Sequence, residues 1–174
     1  MKKRAFVKTG MLSSAFLATE AGNLKANNQQ RNTFQLKYAP HLGMFKHHAG
    51  EDPIAQLNFI ADQGFTAFED NGMKNRTVEL QQKMAQVMGR RGIEMGVFVA
   101  HKIYWNQPNL ASGDEEYRTE FLKDIKESVE VAKRVNATWM TVVPGHLDLR
   151  QDMGYQTTHV IENLKRAAAI LEPH

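Results

Sequence analysis

Cysteine is absent from the 174 residues, which removes disulfides, thiolate metal sites and cysteine nucleophiles from consideration. No uninterrupted apolar run approaches the ~20 residues needed to span a bilayer, so a soluble protein without a membrane span is expected. Also lacking is a glycine-rich G-x-G-x-x-G turn, and nothing therefore marks a dinucleotide site. The net charge of +3 at first invites a nucleic-acid partner. Residues 1–33, however, hold six basic side chains and one acidic, leaving sixteen basic against eighteen acidic in residues 34–174, a net of −2. A phosphate-tracking surface has no electrostatic support there, and no nucleic-acid partner is expected.

With 42% hydrophobic residues the chain has enough apolar material for one domain's core. Residues 1–33 stand outside it. They run from Lys2, Lys3 and Arg4 through a short apolar stretch, Met11 to Ala18, into an Asn-, Gln- and Lys-rich linker. That order is a secretory signal's, and Lys3-Arg4-Ala5-Phe6-Val7-Lys8 is similar to a twin-arginine export motif with lysine in the first arginine's place. Export to the periplasm and a disordered cytoplasmic extension both keep these residues out of the fold.

From residue 34 short β-rich runs alternate with amphipathic ones, the pattern of βα units feeding a parallel sheet. Strands are expected at Phe34–Ala39, Phe65–Glu69, Glu94–Ala100 and Thr138–Val143. The first helix starts at Asp52-Pro53 and closes at Gly64; the second spans about 77–91 and ends at Gly92. A third opens at the capping-box spacing of Ser112 to Glu115 with Phe121, Ile125 and Val129 inward. The fourth runs from about Tyr155 to Leu171 with Ile161, Leu164, Ala168 and Leu171 inward. The fold class is thus α/β, a partial (β/α)8 TIM barrel of four βα units, expected to stop before strand five because a whole barrel needs eight units in ~250 residues. A four-strand doubly wound domain is the alternative. The four units alone should leave strand edges unpaired, and a homo-oligomer or edge-to-edge aggregate is expected of them.

In parallel βα folds the site gathers on loops at the C-terminal ends of the strands. Five of the seven histidines, His41, His47, His48, His101 and His146, fall at or just after an expected strand end. His47 and His48 are adjacent and point apart, which disfavours a shared metal. His41, Glu69, His101 and His146 are the candidate substrate contacts, joined by Trp105 in Tyr104-Trp105-Asn106, whose ring suits stacking on a sugar face.

Gln63-Gly64-Phe65-Thr66-Ala67-Phe68-Glu69, Arg91-Gly92-Ile93-Glu94-Met95 and Ala132-Lys133-Arg134-Val135-Asn136-Ala137 together resemble the N-terminal half of the xylose-isomerase-like barrel superfamily, and within it the hydroxypyruvate isomerase and sugar phosphate isomerase/epimerase family. The likeness covers residues 34–174. It implies isomerisation or epimerisation of a sugar or hydroxy-carbonyl substrate through an enediolate, assisted by a divalent metal (Mn, Mg, Co or Zn). The resemblance puts the metal ligands and catalytic groups on later strands, beyond residue 174, and gives the first half the pocket walls. Zinc-dependent AP endonucleases share the barrel and supply a nuclease alternative; a non-catalytic sugar-binding barrel is the third.

Overall fold

Four helices begin where a side chain can accept the backbone donors that a first helical turn leaves free. The computed structural model describes residues 34–174; the leader and linker read from residues 1–33 lie outside them. Asp52 accepts from the amides of Ile54 and Ala55 and opens helix α2, Pro53–Asp62, with proline at its first position. A four-residue helix α1, Lys46–Ala49, precedes it and carries His47 and His48, which the sequence places in a loop. Thr77 caps α3, Val78–Arg91, which ends on the left-handed Gly92. Asp114, rather than Ser112, caps α4, Glu115–Val135; the Ser112 hydroxyl accepts the Asp114 amide and shapes the preceding turn. Asn136 closes α4 at φ +53, and Asp152 caps α5, Met153–Leu171.

The strands are shorter than the sequence suggests, but parallel and in sequential order. Strand β1, Ala67–Phe68, pairs with β2, Glu94–Met95, and β3, Val97–Val99, pairs with β4, Trp139–Thr141. Gly96 divides the expected third strand in two. Its amide donates to Phe68 O at 2.7 Å, and an added Cβ would lie 3.0 Å from the same oxygen, so glycine lets the backbones approach. The expected first strand, Phe34–Ala39, forms no ladder. It contracts to one parallel bridge between His41 and Glu69, made by Glu69 N to Pro40 O and Leu42 N to Glu69 O. The order is therefore first bridge, β1, then β2 with β3, then β4. Consecutive helices pack on each other along the outside, α2 on α3, α3 on α4 and α4 on α5. These are four βα units of a TIM barrel; a doubly wound sheet would reverse its strand order and place helices on both faces.

The core lies between sheet and helices. Phe68, Met95 and Phe98 meet Leu57, Ile60, Met84 and Val135 in one cluster, and Ala100 meets Phe121, Ile125 and Ala167 in a second. On α5 the expected stripe is corrected: Ile161, Leu164 and Ala168 are exposed, and the buried face carries Gln156, Asn163 and Ala167. Those amides are buried because they satisfy loop backbone, Asn163 Nδ2 donating to Leu110 O at 3.0 Å and Gln156 Nε2 to Asp148 O at 2.9 Å. Among the described residues no helix is long and apolar enough to cross a membrane.

Candidate functional site

A cavity of about 620 Å³ opens at the C-terminal end of the strands, between the loop after β1 and the loop after β3, a size suited to a small molecule. Asn71, Lys74 and Asn75 line it from the first loop, His101, Lys102 and Trp105 from the second, and Glu120 and Asp124 from α4.

The first loop is held by the buried Asp70, which accepts the Gly72 amide at 3.1 Å and pairs with Arg76. Gln81, inside α3, donates to Met73 O and Arg76 O and closes the turn from below. Lys74 then reaches α4, 2.7 Å from Asp124 and 3.1 Å from Glu127. Burial opposes the charge on Lys74, but the two carboxylates outweigh it and raise its pKa.

Asp124 also fixes the second loop, since its other oxygen accepts the Lys102 amide at 2.9 Å. One carboxylate thus ties both cavity walls to α4. Further out, Lys102 Nζ donates to the Tyr104 hydroxyl at 2.6 Å, and that hydroxyl donates to Glu120 at 2.7 Å. The Tyr104 bond and the Glu120 carboxylate 3.4 Å away both raise the Lys102 pKa. Trp105 stands 68% exposed at the rim, its ring free to meet a ligand.

His101 is 4% exposed and its ring meets Phe121 edge-on. Its Nδ1 donates to Lys102 O at 2.8 Å and its Nε2 accepts the Val143 amide at 3.1 Å, a pairing that requires the neutral Nδ1–H tautomer. Burial lowers its pKa in the same sense. Both ring nitrogens are spent on backbone, so this histidine walls the cavity and ties the end of β3 to that of β4.

All five residues singled out from the sequence lie at the C-terminal ends of the strands, but they do not converge. His101 and Trp105 line the main cavity. His41 and Glu69 form the bridge next to it, with Glu69 half-buried. His146 is exposed, bridges to Pro108 and lines a separate pocket of about 180 Å³. His47 is exposed and His48 stacks on Phe59. Lys74, Glu120 and Asp124 escape a sequence reading, because a charged side chain on a helix face reads as solvated. The i, i+4 carboxylates Glu120 and Asp124 in the first half of α4 are the one signal that could have drawn notice.

A family model described as xylose isomerase-like TIM barrel matches residues 57–174. Three solved structures are similar in fold. An AP endonuclease, family 2, from Brucella melitensis is 17% identical with a TM-score of 0.61, covering 79% of this chain and 52% of its own. A D-psicose 3-epimerase, crystallised in the presence of D-fructose, is 12% identical with a TM-score of 0.59 over 79% of this chain and 49% of its own. A 3-keto-D-glucoside 4-epimerase from E. coli is 16% identical with a TM-score of 0.57 over 79% and 54%. The chain spans about half the length of each. Among curated proteins none matches the sequence significantly.

Proposed function

Since the chain belongs to the xylose isomerase-like TIM barrel family, we propose that the barrel it contributes to is an isomerase or epimerase acting on a sugar or small hydroxy-carbonyl compound. One observation carries the reading: a cavity at the catalytic end of the strands, walled by an exposed indole, two asparagine amides and paired charges. Such a lining supplies a stacking surface and hydrogen-bonding groups of both senses, as a polyol requires.

In this reading His101 holds the β3 and β4 loops in register, Trp105 covers the bound sugar, and Glu69, at the strand end on the inner face, meets substrate hydroxyls. His41 stands beside the cavity against the Asn71 amide, and His146 lines the smaller pocket at the same end of the strands. Transfer of a proton between neighbouring carbons needs a base held within hydrogen-bond reach and shielded from water. These four units provide the shielding. Among the described residues no three histidine, aspartate or glutamate side chains form a group that could hold a metal ion.

The nuclease reading has a relative in fold but meets a net charge of −2 on residues 34–174. Incubating the whole barrel with D-fructose or hydroxypyruvate in D2O, and following deuterium entry next to the carbonyl by NMR, tests the proposal. Exchange is the expected result. Absence of exchange with a panel of ketoses and hydroxy-carbonyl compounds, together with cleavage of abasic DNA, would replace it with the nuclease.

A further inference from the structure

We propose that the cavity selects uncharged sugars over phosphorylated ones, and that Glu120 is the residue setting this preference; the inference rests on the isomerase reading of the same site. The walls carry two ammonium groups, and both already have carboxylate neighbours. Lys74, its side chain 15% exposed, pairs with Asp124 and Glu127. Lys102 sits 3.4 Å from Glu120, and Tyr104 links the two through its hydroxyl. The lining's two cations, Lys74 and Lys102, are matched by its two carboxylates, Asp124 and Glu120, so no positive charge is left over for an anion, and the neutral His101 adds none. An entering phosphate would have to take Lys102 from Glu120 or lie against that carboxylate unpaired.

An uncharged sugar meets no such obstacle. Its hydroxyls can donate to Glu120 and accept from Lys102 without parting them, and Asn71 and Asn75 offer both senses of hydrogen bond. Its apolar face has Trp105. Glu120 rather than Asp124 sets the preference, because Asp124 fixes both loops whereas Glu120 touches only the Lys102–Tyr104 pair and is 39% exposed. Removing its charge frees Lys102 without dismantling the cavity.

Trp105 and Trp139 are the only tryptophans, so Trp139→Phe leaves one reporter at the cavity rim. In that background, fluorescence titrations at low salt with D-fructose, D-fructose 6-phosphate and inorganic phosphate should show the neutral ketose binding about tenfold more tightly than its phosphate ester. Glu120→Gln should strengthen binding of the ester and of inorganic phosphate about tenfold relative to that of D-fructose. Adding Lys102→Met should erase that gain. Equal or tighter binding of the ester by the parent, an unchanged order in Glu120→Gln, or no response of Trp105 to any of the three overturns the inference. Unchanged circular dichroism and melting temperature serve as the folding control for each variant. Solvent-deuterium exchange into the ester but not into the free ketose sinks this inference and keeps the isomerase reading; selective ketose binding without exchange does the reverse.

Discussion

His101 Nε2 accepts the backbone amide of Val143 at 3.1 Å, which links the C-terminal ends of two neighbouring strands through one neutral ring. The first half of the sheet repeats the device in looser form, His41 Nδ1 meeting Leu42 O at 2.6 Å and its Nε2 facing the Asn71 amide at 3.5 Å. In both places a histidine at a strand end bonds the carbonyl of the next residue and the amide of a following unit. The loops that carry the cavity lining start from these clamps.

His101→Phe keeps a ring against Phe121 but leaves the Val143 amide and the Lys102 carbonyl without that partner. Loss of such a buried pairing costs about 1–3 kcal/mol. Urea unfolding at pH 7.5 should show a loss in that range, and an unchanged midpoint would mean that the clamp contributes nothing.

The same clamp predicts a pH dependence. Burial holds the His101 pKa below its ordinary 6.5, so below pH 6.5 the unfolded chain takes up a proton that the fold does not. The unfolded state then binds more protons, and stability falls as pH drops from 6.5, levelling off only below the folded pKa. His101→Phe removes this contribution, so the difference in stability between parent and variant should shrink between pH 7 and pH 5. A constant difference across that range would exclude it.

How much of this was legible follows from which residues act locally. Asp52-Pro53 and Gly92 mark helix ends by local chemistry alone, and α2 begins and α3 ends where those signals put them. The first strand was not legible, because Phe34–Ala39 has the residue types of a strand yet only His41 finds a partner, at Glu69. Nor was the inner face of α5: Ile161 and Leu164 satisfy helical periodicity as well as Gln156, Asn163 and Ala167 do, and only the loop carbonyls at Leu110 and Asp148 decide between the faces. The strand-end rule pointed to His101 and the aromatic loop to Trp105, and both line the cavity. It could not find Lys74 with Asp124, a pair fifty positions apart that exists only once α4 lies beside the first loop.

Gly145 is predicted to resist substitution. It has φ +84, and an added Cβ would lie 2.5 Å from Asn109 Oδ1 and 3.1 Å from Tyr104 O, where the β3 and β4 loops touch. Gly145→Ala should cost about 1–3 kcal/mol from backbone strain and the collision together. Adding Asn109→Ala should restore only the part due to the collision; full restoration would show that the positive φ carries no cost.

Asp124 offers the sharpest contrast among the charged residues. It accepts from Lys74 Nζ and from the Lys102 amide, and its side chain is 16% exposed, whereas Glu127, the second partner of Lys74, is 51% exposed. A solvent-facing ion pair contributes at most about 1 kcal/mol, while stripping one partner from a largely buried pair costs about 3–5 kcal/mol at full burial and less here. Asp124→Asn should therefore destabilise the fold by at least about 2 kcal/mol and loosen both loops, seen as faster amide exchange at Asn75 and Lys102. Glu127→Gln should change stability by less than about 1 kcal/mol and leave those amides protected. Equal effects from the two substitutions would mean that the attraction of Lys74 to α4 is diffuse, and that Asp124 does not act as the single tie between the cavity walls.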